Sequence, residues 1–139
     1  MVHSVDRLNL AEELQKRAKD AGRVLDILVQ VNISGEDTKA GISPEDLVTF
    51  LKKIANFPNI KVKGLMTIAP YACDPEDIRW IFRDLRNISI DIARENIDNI
   101  DMRYLSMGMS NDFEVAIEEG ANIVRIGSSI FGERHYPKG

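Results

Sequence analysis

Apolar segments of strand length alternate with amphipathic segments of helix length along the whole chain, and this alternation constrains the fold more than any other feature. Five strands are predicted, over residues 2–5, 25–32, 60–68, 103–107 and 122–126. The second, LDILVQVN, is apolar almost throughout, which is typical of a parallel strand buried on both faces. Strands joined in this way by helices form βαβ units. The chain is therefore predicted to be an α/β protein with a parallel sheet and helices outside it.

Capping residues and helix breakers mark the predicted helix boundaries. Asp6 is predicted to cap a helix over residues 7–21, which Gly22 ends. Ser43 followed by Pro44 is a typical helix start, since serine caps the helix and proline suits its first position. Helices of this kind between all five strands give five βα units in a row.

Two architectures fit five consecutive βα units. One is an open, doubly wound sheet, and the other is a (β/α)₈ TIM barrel of which about five of the eight units are present. Ligands bind at the carboxyl ends of the strands in both. The search for a functional site therefore concentrates on the residues that follow each strand.

Length and composition exclude several classes of protein. The 139 residues fit one domain, so a single domain over residues 1–139 is predicted. The net charge is −4 with both signs interspersed, which argues against nucleic acid or an anionic membrane surface as a partner. No apolar run reaches the roughly 20 residues of a membrane span, and the first residues lack a signal-peptide pattern. With one cysteine, Cys73, and two histidines near the ends, His3 and His135, we expect a cytoplasmic protein with no disulfide and no metal site.

Small and hydroxyl-bearing residues follow the last two strands, in LSMGMSND, which contains Ser110, and in VRIGSSIFG, which contains Gly127 and Ser128. Because parallel strands end at one edge of a sheet, the Ser110 hydroxyl and the amides of Gly127 and Ser128 are predicted to hold a phosphate group together. Ordinary turns are the alternative. Arg125 lies in an apolar strand, and it either faces the interior, where it needs a partner, or pairs with an acid on a helix.

At these residues the sequence resembles the pyridoxal-phosphate homeostasis proteins, which share the barrel of the alanine racemases. The resemblance is carried by HSVDRLNLAEEL, LVQVNISGEDTKAGI, GLMTIAP and LSMGMSNDFEVAIEEGANIVRIGSSIFGER, which cover nearly the whole chain. It implies an incomplete TIM barrel built of parallel β/α units, of which the chain would form the C-terminal part. It also implies a protein that binds pyridoxal 5′-phosphate in vitamin B6 homeostasis without catalysing a reaction.

The resemblance also implies roles for individual residues. Ser110, Gly127 and Ser128 would bind the phosphate of pyridoxal phosphate, and Arg125 would face its pyridine nitrogen. Met107 is counted among the cofactor-binding candidates, with packing as its alternative role. A guanidinium is always charged, so it would keep the pyridine nitrogen unprotonated and make the ring a weaker electron sink. That chemistry suits a protein that holds the cofactor or hands it on.

One part of the family pattern has no counterpart in this sequence. Such proteins bind the aldehyde of the cofactor through a Schiff-base lysine on the first barrel strand, whereas this chain starts at what looks like the fourth. We therefore expect non-covalent binding, with Lys39 as a solvated charge on its loop. Missing strands would leave two open sheet edges and an uncovered apolar interior, so we also expect a homo-oligomer.

Two other functions stay open. One is a pyridoxal-phosphate enzyme of the alanine racemase type, which needs acid–base groups on both faces of the ring. Tyr71, after the third strand, is the only tyrosine at the correct end of the sheet. The other is a self-associating barrel fragment with no ligand.

Overall fold

The computed structural model describes residues 1–133, which form one five-stranded sheet with helices on its outer face. His135 lies outside the described residues. The strands are β1 (Val2–Val5), β2 (Leu25–Gln30), β3 (Ile60–Met66), β4 (Ile100–Met109) and β5 (Ile123–Arg125). The helices are α1 (Leu8–Asp20), α2 (Pro44–Ile54), α3 (Arg79–Arg94), α4 (Phe113–Glu118) and α5 (Ser128–Phe131), and a 3₁₀ turn over Pro75–Ile78 leads into α3.

The order of the strands decides between the two predicted architectures. All four strand pairs are parallel, and the order across the sheet is β1-β2-β3-β4-β5, the order of the sequence. A doubly wound sheet requires the strand order to reverse at a switch point, whereas a (β/α)₈ barrel adds each strand beside the previous one. The fold is therefore an incomplete TIM barrel of five parallel β/α units, as predicted.

A contact between non-adjacent strands shows how strongly the sheet curls. His3 Nδ1 on β1 lies 2.9 Å from Ser106 Oγ on β4. In a flat sheet these strands would be three spacings apart, about 14 Å, and their side chains would stand parallel. The contact therefore requires the strands to bend around a common axis, with His3 and Ser106 on the concave face.

The two faces of the sheet bury different residues. Alternate residues of β2, Ile27 and Val29, pack toward the helices in one apolar core with side chains such as Leu51 and Phe82. The residues between them point to the concave face. There Leu28 is 0% exposed, and Gln30 and Met66 are also buried. The expectation of an uncovered interior is thus wrong for its central layer, because the curl brings side chains of non-adjacent strands into contact.

The helix starts follow the sequence in one case and depart from it in another. Ser43 caps α2 as predicted, with its hydroxyl accepting from the Asp46 amide at 3.2 Å. Asp6 does not cap α1. Arg7 occupies the position before the helix, with no side-chain cap, and its guanidinium binds the Asp6 carboxylate at 2.9 Å. The helix begins one residue later than predicted, so Asp6 lies before the capping position and its carboxylate pairs with Arg7.

Candidate functional site

A cleft of about 600 Å³ opens at the carboxyl ends of β3, β4 and β5. This is the edge at which (β/α)₈ proteins bind their ligands. The loops after three neighbouring strands contribute to it because the strands are parallel and end together. The residues that line it are Ala69, Tyr71, Met109, Ser110, Asn111, Asp112, Arg125, Ile126, Gly127 and Ser128.

The two turns singled out in the sequence meet at one side of the cleft. The Ser110 hydroxyl accepts hydrogen bonds from the amides of Gly127, at 3.1 Å, and Ser129, at 3.3 Å. The Ser129 hydroxyl donates to the Ser110 carbonyl at 3.3 Å. The amide of Ser128, at the first position of α5, has no acceptor within residues 1–133. Backbone donors of a first helical turn and two hydroxyls therefore converge, which is a set of groups suited to an anion.

A carboxylate holds the turn that carries Ser110. Asp112 Oδ1 accepts from the Met109 amide at 2.6 Å, and the Asp112 amide donates to the Met109 carbonyl at 3.1 Å. The Asn111 side chain donates to the Ala72 carbonyl at 3.0 Å, which joins this turn to the loop after β3. The position of the Ser110 hydroxyl is thus set by bonds on both sides of it.

Arg125 faces the interior of the barrel, which settles the choice that the sequence left open. Its Nη1 donates to Ser106 Oγ at 2.6 Å, and its Nη2 donates to the Thr67 carbonyl at 2.9 Å. Both acceptors are neutral. Burial lowers the pKa of the Arg125 guanidinium, and the negative charge of Asp112 opposes this shift. The side chain is a partly desolvated cation at the base of the cleft.

His3 continues this chain of hydrogen bonds across the concave face. Its Nδ1 lies 2.9 Å from Ser106 Oγ, the same oxygen that receives Arg125 Nη1. Burial lowers the pKa of His3, and the positive charge of Arg125 lowers it further. The neutral imidazole is therefore favoured.

The environment of Gly127 fits a ligand in the cleft. Its φ is −123°, so left-handed backbone does not demand glycine at this position. A Cβ added there would meet no atom within 4 Å, so close packing does not demand glycine either. A methyl group would instead project into open space beside the converging donors. A group that approaches this backbone from the cleft would account for the glycine.

Other candidates from the sequence lie elsewhere. Met107 is fully buried in the core between sheet and helices and does not line the cleft. Lys39 lies on the loop after β2, where its Nζ is 3.5 Å from a carboxylate oxygen of Glu36. Within residues 1–133, no group of three or more His, Cys, Asp or Glu side chains is placed to hold a metal ion. No helix in this part of the chain is both long and apolar enough to cross a bilayer.

Sequence reasoning missed His3 as a partner of the site. The sequence analysis considered His3 only as a metal ligand. In the structure, the strand that carries it is three strands away from β4. Regular alternation along β1 would have placed His3 on the wrong face. Two residues apart on a strand, His3 and Val5 should share one face. Val5 belongs to the helix-side core, whereas His3 contacts Ser106 on the concave face, so the short β1 does not alternate regularly. The register shift between Val2 and Val5 gives the structural reason, and the sequence does not reveal it.

Comparison with known proteins shows the family of this chain. The family model "Alanine racemase, N-terminal domain" matches residues 1–135. The chain belongs to the alanine racemase N-terminal domain family. Among curated members similar to this one is a pyridoxal phosphate homeostasis protein of Aquifex aeolicus, 54% identical over 98% of this chain and 59% of the relative. Another, of Pseudomonas aeruginosa, is 40% identical over 97% of this chain and 56% of the relative.

The resemblance to pyridoxal-phosphate homeostasis proteins is therefore confirmed, for a chain that spans somewhat more than half the length of these relatives. Both relatives carry the name of a homeostasis protein rather than of an enzyme. What they do as whole proteins remains a proposal for this chain.

Solved structures agree with this family assignment. The structure of PipY of Synechococcus elongatus with pyridoxal phosphate bound has a TM-score of 0.84. It is 32% identical over 94% of this chain and 59% of PipY. An alanine racemase of Clostridium difficile has a TM-score of 0.71 over 99% of this chain and 35% of its own. At 19% identity, that racemase shows the shared barrel fold alone.

Proposed function

We propose that this protein binds pyridoxal 5′-phosphate non-covalently at the cleft and serves in the homeostasis of that cofactor, without catalysing a reaction. The observation that carries the proposal is the meeting of the Ser110 turn, the free amide of Ser128 and the inward guanidinium of Arg125 in one cleft. The bound cofactor in PipY and the names of the curated relatives support it.

The phosphate end of the ligand is assigned to the Ser110 side of the cleft. A phosphate oxygen would accept from the Ser128 amide and from the Ser110 hydroxyl, because the Ser129 hydroxyl already donates its hydrogen to the Ser110 carbonyl. Ser110 Oγ accepts from the amides of Gly127 and Ser129 through its lone pairs, which leaves its hydroxyl hydrogen to donate to the phosphate. Hydrogen bonds to a charged group contribute about 1.5–3 kcal/mol each, so a few such donors suffice without a lysine.

The ring end is assigned to Arg125. When bound to a protein, pyridoxal phosphate supplies an electron-accepting ring. Arg125 donates to any acceptor it faces and cannot give up its proton at physiological pH. It therefore holds the ring nitrogen unprotonated, which weakens the electron sink. Arg125 thus favours retention of the cofactor over chemistry on it, and we expect the pure protein to show no racemase activity.

Non-covalent binding is proposed because the cleft offers no amine for a covalent bond. No lysine is among its lining residues in the described part of the chain. Lys39 pairs with Glu36, and both lie on the loop after β2, which does not line the cleft. Lys63 pairs at 3.4 Å with Asp101, which lies on the first half of β4. Neither side chain lies at the phosphate turn.

Titration with pyridoxal phosphate, followed by borohydride reduction and mass spectrometry, tests both parts of the proposal. We expect saturable binding, and we expect that borohydride leaves no adduct concentrated at one particular lysine. Ser110→Ala and Arg125→Ala should each weaken binding roughly 10-fold or more, since each removes a hydrogen bond to a charged or ring group. Arg103→Ala is the matched control, because Arg103 is an exposed arginine at the opposite end of β4. Binding that none of these changes affects would sink the assignment of the cleft.

We further propose that a second copy of the chain covers the open edges of the sheet. Within residues 1–133, β1 pairs only with β2 and β5 only with β4, so each leaves a row of unpaired backbone groups in that part of the chain. Such edges associate readily unless something protects them. Helix α5, which follows β5 directly, also carries two large exposed apolar side chains, Ile130 at 68% and Phe131 at 85% exposure. The assembly would cover edge and helix together.

A further inference from the structure

Three side chains from three strands form a continuous line of hydrogen bonds beneath the cleft. Arg125 Nη1 on β5 lies 2.6 Å from Ser106 Oγ on β4, and Ser106 Oγ lies 2.9 Å from His3 Nδ1 on β1. Ser106 is 0% exposed, so water does not reach its hydroxyl. Neither Ser106 nor His3 lines the cleft itself. Their effect on a ligand must therefore pass through Arg125.

The direction of each hydrogen bond follows from the chemistry of the three groups. A guanidinium only donates, so the Ser106 oxygen accepts from Arg125. The Ser106 hydroxyl hydrogen then needs an acceptor, because a buried donor without one is costly. His3 Nδ1 is the acceptor within reach, and it accepts only when the imidazole is neutral with its hydrogen on Nε2. The geometry thus selects one tautomer and one charge state of His3.

The charges around His3 act in the same direction. Burial lowers its pKa most, and the positive charges of Arg125, from β5, and of the Met1 amino group, just before β1, lower it further. Asp112 is the carboxylate that acts on Arg125. Gln30 on β2 and Met66 on β3, which are buried on the concave face, carry no titratable group.

We propose that His3 is a proton-sensitive positioning residue, which acts through Ser106 to hold the Arg125 guanidinium where it faces the ring of a bound pyridoxal-phosphate-type ligand. The inference rests on the proposed function. A protonated His3 would donate from Nδ1 rather than accept, so the Ser106 hydrogen would lose its acceptor. It would also place a second cation on the chain of bonds that ends at Arg125. Acidification therefore releases Arg125 from its position, and affinity for the ring end of the ligand falls.

Calorimetric titration with pyridoxine 5′-phosphate between pH 5 and 8 tests this inference, because that ligand has no aldehyde to react with lysines. Inorganic phosphate is the parallel probe. It reports binding at the turn that carries Ser110 alone, and its phosphate group changes charge with pH as that of the ligand does. For the unaltered protein we expect pyridoxine 5′-phosphate to lose roughly 10-fold more affinity on acidification than inorganic phosphate loses, which corresponds to one hydrogen bond to a charged group.

Two variants at position 3 separate positioning from packing. His3→Asn places a non-titrating acceptor near the position of Nδ1, so affinity at pH 7.5 should be retained and the extra loss at pH 5.5 should disappear. His3→Phe keeps a ring but has no acceptor, so affinity should be low at both pH values. Nitrogen NMR of the ligand-free protein should show His3 with its hydrogen on Nε2, with His135→Gln used to assign the second histidine. Melting curves of each variant check that it folds.

The possible outcomes distinguish the two proposals. If the unaltered protein fails to bind pyridoxine 5′-phosphate at every pH, the proposed function fails and this inference fails with it. If the protein binds, but His3→Asn keeps the same pH profile, or NMR finds the hydrogen on Nδ1, the positioning role of His3 is overturned and the proposed function stands.

Discussion

Residues at and beneath the cleft are required for different physical reasons. Met107 and Ser106 are neighbours on β4, yet Met107 is buried toward the helices while Ser106 holds Arg125 in the interior. Successive side chains of a strand point to opposite faces, so an error of one position exchanges a core residue for a residue of the site. Gly127 differs from both, since neither its backbone angle nor its protein neighbours require glycine.

Gly127→Ala should therefore weaken ligand binding without loss of stability. The added methyl group projects into the cleft beside the Ser128 amide and keeps a phosphate group from approaching it. We expect a fall in affinity for pyridoxal phosphate of roughly 10-fold or more, the value of one hydrogen bond to a charged group. Titration and thermal melting measure the two effects.

Gly35→Ala is the control for this change. Gly35 has a left-handed φ of +71° with open space at its Cβ position, and it lies on the loop after β2. It should lose some stability through backbone strain and keep its affinity. Equal affinity of Gly127→Ala and the unaltered protein would show that no ligand group approaches that backbone.

At the scale of elements, irregularities in the strands shape the barrel. The register between β3 and β4 shifts between Val62 and Gly64, where β4 carries additional residues. At this irregularity Gly64 adopts a φ of +154°, and a Cβ placed on it would clash with the Tyr104 carbonyl oxygen. Only glycine allows the two backbones to approach this closely. The irregularity bends the sheet, as bulges do in barrels.

Gly64→Ala should accordingly be among the most destabilising single changes in the chain. Backbone strain alone costs about 1–3 kcal/mol, and the contact with Tyr104 backbone adds to it, so we expect a loss above about 3 kcal/mol. Gly22→Ala is the matched control. Gly22 has a left-handed φ of +62° but open space, so it should lose only about 1–2 kcal/mol. Urea denaturation measures both losses, and similar values would contradict the close approach at Gly64.

Helices α3 and α4 are joined by an ion-pair network on the outer side of the sheet. The Glu119 carboxylate, at the C-terminal end of α4, accepts from Arg79 at 3.0 Å and from Arg83 at 3.1 Å, both on α3. A carboxylate is disfavoured by the dipole at that end of a helix, and the two arginines offset this effect. Hydrogen bonds from Arg83 and Arg79 lower the pKa of Glu119 below its ordinary value.

Because the pKa of Glu119 is lower in the folded than in the unfolded protein, its contribution to stability is present above the ordinary glutamate pKa and is lost as the pH falls through the lowered value. Glu119→Gln should reduce the melting temperature by a few degrees near pH 6, and the difference from the unaltered protein should shrink by pH 3. Melting curves across this range provide the measurement. Glu76→Gln, at a more exposed partner of Arg79, should have a smaller effect. A difference that stays constant with pH would exclude the charge as the cause.

For the whole molecule, the open edges matter more than the interior. Curling already buries the central layer of the concave face, including Leu28 and Ser106. The unpaired backbone groups of β1 and β5 have no such cover within residues 1–133. We therefore expect association to involve these edges rather than the interior.

Sedimentation at micromolar concentration should accordingly show a dimer or larger species. Phe131→Asp introduces a charge on the exposed helix beside the β5 edge and should shift the protein toward a monomer. Ile90→Asp, on the outer helix α3 and 40% exposed, is the control and should leave the association unchanged. An unaltered protein that sediments as a monomer would contradict the proposed assembly.

The sequence alone determined the succession of βα units, the start of α2 at Ser43 and the turns that contain Ser110 and Gly127, because these depend on local periodicity and on the preferences of residues close together in the chain. Tertiary structure decided the rest. Strand order chose the barrel over the open sheet, the register shift in β1 and the curl of the sheet brought His3 to Ser106, and strand alternation put Met107 in the core. The physical reason is that a hydrogen bond between residues 103 positions apart depends on how all the intervening strands bend, and no local pattern encodes that sum.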